Sequence, residues 1–144
     1  IIPVYQRKRL VTFTARAVIE TAALRYKNCP VPESVVSIKE CLYNLDNVKE
    51  SAIVVEGVFD AWRVGDGACA TLGTQITQEQ IRLLSQFKNV FIMLDSEAVN
   101  EAEKLSYALA SIVNHVEIIH ISAKDPCEMS DTDIRALKKD LCIQ

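Results

Sequence analysis

An α/β fold is predicted for this 144-residue chain: a parallel sheet of about four strands flanked by helices, preceded by a small mixed α+β segment. Three observations predict it. After residue 51, short β-branched runs alternate with amphipathic stretches, the rhythm of right-handed crossovers in a parallel sheet. The runs are continuously apolar, as in strands covered on both faces. Two of them, Ile53-Val54-Val55 and Phe91-Ile92-Met93-Leu94, end abruptly in carboxylates, Glu56 and Asp95. Open α/β sheets bind ligands just beyond the carboxyl ends of their strands.

The elements follow in order. Residues 11–16 (Val-Thr-Phe-Thr-Ala-Arg) alternate apolar and polar side chains and predict a half-exposed strand. Residues 26–34, with Asn28, Pro30, Pro32 and Ser34, read as loop. The polar residues 44–51 link this region to the next. Residues 52–55 predict a strand ending at Glu56-Gly57. A short helix over 58–64 is closed by Gly65, and a second strand covers 68–72. Thr77-Gln78-Glu79-Gln80 has the form of a capping box, in which Thr77 and Gln80 satisfy reciprocal backbone donors. It opens a helix with Ile81, Leu84 and Phe87 along one face. A third strand spans 89–94. A helix over 97–113 places Ala98, Ala102, Leu105, Leu109 and Ile112 at spacings of three and four. A fourth strand covers 116–121. The last helix, 130–141, carries Lys138 and Lys139 near its C-terminus, where cations suit the dipole.

Composition narrows the class. Apolar content of 49% and charged content of 24% are ordinary for a globular domain. No apolar run approaches the roughly 20 residues of a membrane helix, and no signal peptide opens the chain. Because it begins Ile1-Ile2-Pro3 without Met, a fragment of a longer protein is expected. Five widely spaced cysteines (Cys29, Cys41, Cys69, Cys127, Cys142) include no CxxC pair. Zinc-ribbon spacing is therefore absent, and unreactive thiols in a reducing cytosol are expected. Residues 1–45 carry seven basic and three acidic groups, a net of +4. The remainder carries nine basic and sixteen acidic groups, a net of −7. Such asymmetry points to polyanion contact by the basic part, or to a solvated basic face.

The chemistry concentrates at strand ends. Glu56, Asp60, Asp95 and Glu97 lie at or just after them, and Asp125 follows the fourth strand with Glu128 three residues on. A single acid there would read as a helix cap or a solvated charge. Several on one edge repel one another, and a site that assembles them needs a cation. Mg²⁺ is the expected ion, a hard cation that takes oxygen ligands and shares them with substrate phosphates. Gly65-Asp66-Gly67 is not a dinucleotide fingerprint, because a helix precedes it and a strand follows. His115 and His120 have no partner at metal spacing and read as structural. No nucleophile elbow or Cys–His motif is present. Trp62 is expected in the core.

These residues resemble the Toprim domain, the metal-binding module of bacterial-type DNA primases, type IA and type II topoisomerases and some recombination nucleases. Glu56-Gly57 is similar to the family's glutamate motif. Asp95-Ser96-Glu97 is similar to its DxD motif, with Glu in the second acidic place. Val55-Glu56-Gly57-Val58-Phe59-Asp60, Ala70-Thr71-Leu72-Gly73-Thr74 and Asp125-Pro126 resemble the primase forms. Upstream, Arg25–Pro30 and Lys39–Leu45 resemble the segment joining a primase's N-terminal catalytic subdomain to its Toprim fold. Three positions depart: Glu97 for Asp, Asn100 for the usual Gly, and Cys127 where a further Asp is frequent, with Glu128 beside it.

The resemblance implies a Toprim-like Rossmannoid sheet over residues 49–144, with residues 1–48 the end of the preceding catalytic subdomain. It implies RNA primer synthesis by ribonucleotidyl transfer in DNA replication. Asp95 and Glu97 would be the principal Mg²⁺ (or Mn²⁺) ligands, and Asp60 and Asp125 would contribute nearby. Glu56 would be a ligand or a general acid/base. Arg16, Arg25, Lys27 and Lys39 would hold phosphates of single-stranded DNA template, ribonucleoside triphosphates or RNA primer. A replicative helicase would dock through regions outside this chain. A cytoplasmic, phage-like or plasmid enzyme with no membrane contact is expected. Two other readings stay open: a Toprim nuclease or topoisomerase-type enzyme, and a non-catalytic binding module with a decayed metal site.

Overall fold

The computed structural model describes residues 1–19 and 21–143. Two sheets divide the chain. The first is antiparallel, in the order β1-β2-β3: β1 is Ile2–Gln6, β2 is Arg9–Arg16 and β3 is Tyr26–Asn28. Residues 26–28 thus form an edge strand rather than loop, pairing Tyr26 with Arg16 and Asn28 with Thr14. Nothing apolar marks this three-residue exposed strand. Its order comes from the partner ladder and from a Thr14 hydroxyl bond to Asn28, so composition alone hides it. The tight turn between β1 and β2 places Arg7 and Lys8 at positive φ. Asp46 holds this turn from 38 residues away, its carboxylate accepting from the Arg7 and Lys8 N–H groups at 2.8 and 2.6 Å.

The second sheet is parallel throughout, in the order β5-β4-β6-β7. Here β4 is Ser51–Val55, β5 Ala68–Ala70, β6 Asn89–Ile92 and β7 His115–Ile118. The helices are α1 (Val58–Val64), α2 (Gln78–Leu84), α3 (Val99–Leu109) and α4 (Asp131–Asp140). The expected parallel α/β sheet is borne out. Its strands are shorter at their ends than the apolar runs suggest, because Thr71, Met93 and Ile119 leave the ladder while staying hydrogen-bonded to a neighbouring strand.

Side chains of β4 alternate between two packed faces, which is why the run is apolar at every position. Ala52 and Val54 join Val90, Ile92, Leu84, Leu105 and Leu109 under α2 and α3. Ile53 and Val55 join Phe91, Met93, Ala61 and Val64 on the opposite face, with Leu137 of α4 and Leu141 just beyond its end. Ile112 falls beyond the end of α3 and is 53% exposed, so only the first four positions of the expected apolar face are buried.

Gln80 joins the two regions. The capping box forms as the spacing predicts, Thr77 N–H donating to Gln80 Oε1 at 3.0 Å. The same fully buried side chain donates to the Cys41 carbonyl at 2.8 Å and the Thr71 carbonyl at 2.7 Å. Beside it, Tyr43 pairs with Ala70 as an isolated bridge that extends the β5 edge. Among the described residues, no helix is long and apolar enough to cross a membrane.

Candidate metal centre

The carboxyl ends of β4 and β6 lie side by side, since the two strands are paired neighbours. Glu56 and Asp95, which continue those strands, therefore meet at one edge by sheet register alone. Glu56 runs into Gly57, the residue before α1. A Cβ at Gly57 would lie 2.8 Å from Asp60 Oδ2, so any other residue there would push this carboxylate aside. The Gly57 N–H donates to that oxygen at 3.0 Å. Asp60 is thereby folded back, buried, toward the strand ends.

The fourth-strand acid arrives by a clamp. Arg63 on α1 donates from Nε to the Met129 carbonyl at 3.0 Å, and its Nη1 pairs with Asp131 at 2.6 Å. The Ser96 N–H donates to the Lys124 carbonyl at 3.1 Å. Between these tethers Asp125 caps a 3-10 turn over Pro126–Glu128. One oxygen or sulfur each from Asp60, Asp125 and Cys127 lie within 4.8 Å of one another.

The electrostatics agree with this crowding. Burial raises the Glu56 carboxyl from its ordinary 4.5 to about 7, helped by the negative charges of Asp95, Asp60 and Glu101. Asp95 is also raised, by burial first and then by Asp60, Asp125 and Glu97, with Lys124 opposing. Desolvation, a hydrogen bond to Asp60 and the charges of Asp60 and Asp125 push the Cys127 thiol up to about 12. Burial pushes Cys69 to about 12 and Cys41 to about 11, so these thiols are protonated at neutral pH, as expected for unreactive cysteines.

Asp95 Oδ1 is buried and, among the described residues, accepts no hydrogen bond. A buried carboxylate oxygen without a donor is costly. Set among like charges, it suits one ligand of a cation, and the oxygen-rich donor set suits a hard divalent ion. The residues present fit that group.

A cleft lined by Glu56, Asp95, Glu97, Glu101, Lys124 and Thr74 opens over this edge. Glu97 is exposed at its rim. Glu101 and Lys124 were not among the sequence candidates. Glu101 lies four residues after Glu97, a spacing that could have flagged it. Lys124 carries no such signal. Glu128 turns back to accept the Lys124 N–H at 3.3 Å and stays out of the cluster.

The predicted cations are placed unevenly. Arg16 stacks its guanidinium 4.3 Å above the Phe59 ring and lowers the Cys127 thiol, so it borders the acids. Arg25 lines a groove with Arg16, Phe59 and Trp62. Lys39 Nζ lies 3.3 Å from where a Gly73 Cβ would stand, above the loop after β5. That loop is held over the site by Leu72, whose N–H donates to the Glu56 carbonyl at 3.0 Å with φ at +61°. Lys27 is on exposed β3, with no contact to the acidic edge among the described residues.

Trp62 is not core. It is 54% exposed, its indole N–H donating to the Tyr43 hydroxyl at 2.6 Å. The apolar neighbours that suggested burial lie on the other side of α1, whose buried residues are Val58, Asp60, Ala61 and Val64.

The family model described as Toprim-like matches residues 53–130. A DNA primase of Aquifex aeolicus (strain VF5) is 37% identical over 102 residues, covering 63% of this chain and 20% of that protein. The chain thus spans about a fifth of that curated relative. The solved zinc-binding and RNA polymerase domains of the Aquifex aeolicus primase align with a TM-score of 0.82 at 28% identity, over 96% of this chain and 39% of that one. The DnaG primase catalytic domain bound to ssDNA aligns at 0.74 and 21% identity, over 96% and 49%, a likeness of fold.

Proposed function

The chain belongs to the Toprim-like family, and on that premise we propose that it is the Toprim-containing part of a DNA primase catalytic core. In this reading residues 1–48 end the preceding catalytic subdomain and residues 49–144 are the Toprim domain. The reaction is ribonucleotidyl transfer: a primer 3′-hydroxyl attacks the α-phosphate of an incoming ribonucleotide on a single-stranded DNA template, and pyrophosphate leaves. The observation that carries the reading is the orphaned, buried Asp95 Oδ1 among converging carboxylates, in a chain whose relatives are primases.

Asp95 and Glu97 would be the principal ligands of Mg²⁺ or Mn²⁺, with Asp60 and Asp125 beside them. The chemistry that such an ion supplies when bound is stabilisation of phosphate charge and of the attacking oxygen. Glu56 sits with its carboxyl near neutrality, where a group can hold or release a proton at working pH. It acts as ligand or as general acid/base. Arg16 borders the acids, Lys39 stands over the loop after β5 and Arg25 lines the groove beside Arg16, so these cations would hold phosphates and fix register without reading sequence. Lys27 would contact phosphate farther out.

The test is Asp95→Ala in the full-length enzyme. Metal-dependent incorporation of labelled ribonucleotides on single-stranded DNA should fall by on the order of 100-fold or more, as expected on losing a metal ligand. Undiminished incorporation would sink the assignment. Cys127 among the acids favours one second reading, a binding module whose metal site has decayed. Saturable Mn²⁺ binding by the wild-type protein below millimolar metal would exclude it.

A further inference from the structure

Beside the acidic edge runs a groove with a different character, lined by Arg16, Arg25, Val18, Ile19, Phe59 and Trp62. We infer that Trp62 and Phe59, with Arg16, form a stacking platform for a base of single-stranded nucleic acid whose backbone is held by Arg16 and Arg25. The inference rests on the primase reading for its ligand class, and it adds residues and a mode of contact that the metal centre does not supply.

Three features select this occupant. First, Trp62 is oriented. Its one polar atom is satisfied by the Tyr43 hydroxyl at 2.6 Å, while the residue remains 54% exposed. A ring fixed at its edge and open to solvent loses little freedom when a base stacks on it. Phe59 braces it edge-on, with centroids 4.9 Å apart at 62°. Second, cations and aromatics interleave. Arg16 lies 4.3 Å over Phe59 and 5.5 Å from the Tyr26 ring centroid, and donates to the Tyr26 hydroxyl at 3.2 Å. A phosphate backbone pairs with such guanidinium groups while its bases stack on the neighbouring rings. Third, the groove adjoins the metal centre. Phe59 precedes Asp60 in α1, and Arg16 acts electrostatically on Cys127. A strand lying here presents its next nucleotides to the carboxylates.

Trp62 is the only tryptophan in the chain, so its emission reports this groove alone. The experiment titrates the protein with oligo(dT) of about 12 nucleotides, a length typical of such sites. Anisotropy of a labelled strand and tryptophan emission are followed together. Quenching should track binding with one midpoint. Trp62→Ala should weaken binding by about tenfold and Trp62→Phe by less, because stacking tolerates any aromatic face. An abasic strand of equal length should bind the wild type and Trp62→Ala alike. Binding without quenching, together with wild-type affinity of Trp62→Ala, overturns the platform and leaves the primase reading intact. Absence of any anisotropy change removes the nucleic-acid reading itself. Emission that depends on protein concentration without DNA would assign the groove to a second copy of the chain and also overturn the inference. Should Trp62→Ala fold poorly, quenching of the wild type by dT but not by the abasic strand still decides.

Discussion

The two sheets handle charge in opposite ways. The parallel sheet buries its central strands almost completely and delivers carboxylates from their ends, so the acids are held close together against their own repulsion. The antiparallel sheet is half exposed, and its cations reach out on long side chains from an edge or a loop. Ligands for a small ion must be placed within tenths of an ångström, which a buried strand register can do. Contacts to a phosphate chain tolerate more movement, and long exposed cations suit them. In the proposed reading, the rigid strand ends would hold an ion, and the more exposed cations a polymer.

The most damaging way to break this pairing is at Gln80. Gln80→Ala removes a cap and leaves the buried Cys41 and Thr71 carbonyls without their donor. A loss of about 4 kcal/mol is expected from unsatisfied buried groups and the cavity. Urea unfolding should show it, with separate transitions if the two regions part.

Charge sharpens the comparison next. Glu56 has a folded value near 7 against 4.5 for an ordinary carboxyl. The folded state thus keeps a proton that the unfolded chain has lost. The stabilisation is fully present below about pH 4.5 and is lost as pH rises through about 7. Metal-free protein should be less stable at pH 8 than at pH 5 by about 2 kcal/mol, discounted for partial exposure. Saturating Mg²⁺ should stabilise the protein more at pH 8 than at pH 5, measured by thermal melting. A Mg²⁺ effect independent of pH would argue against a carboxylate site.

The smallest effect is expected at the clamp. Arg63→Ala releases residues 125–131 from α1 while leaving every proposed ligand in place. Mn²⁺ affinity should fall by about tenfold, the usual cost of losing a supporting contact, with little change in the urea midpoint. Unchanged affinity would mean that Asp125 takes no part in holding the ion.

Much of this was legible in the chain. The three buried runs, the half-exposed fourth strand, the Thr77–Gln80 box and the helix over 58–64 are local patterns, and each forms close to where it is read. Glu56 and Asp95 were legible as a pair, because adjacent parallel strands end together. Strand β3 was not, since its residues carry no apolar signal and depend on β2 for order. Trp62 was misread because its helix turns those neighbours inward and the indole outward. Glu101 is marked only by its spacing of four from Glu97, and nothing local marks Lys124, which reaches the cleft from a separate segment.

What the sequence determined by itself is therefore the parallel sheet and the acids at its edge, because hydrophobic period and strand termination are local properties of the chain. What only the tertiary structure decided is the company those acids keep. Burial of Gln80 against the Cys41 carbonyl, the Arg63 clamp and the stacking of Arg16 on Phe59 all join residues far apart in the chain or on different elements. Such contacts form only after the core has closed, so their energies and the perturbed carboxyls that follow cannot be read from spacing.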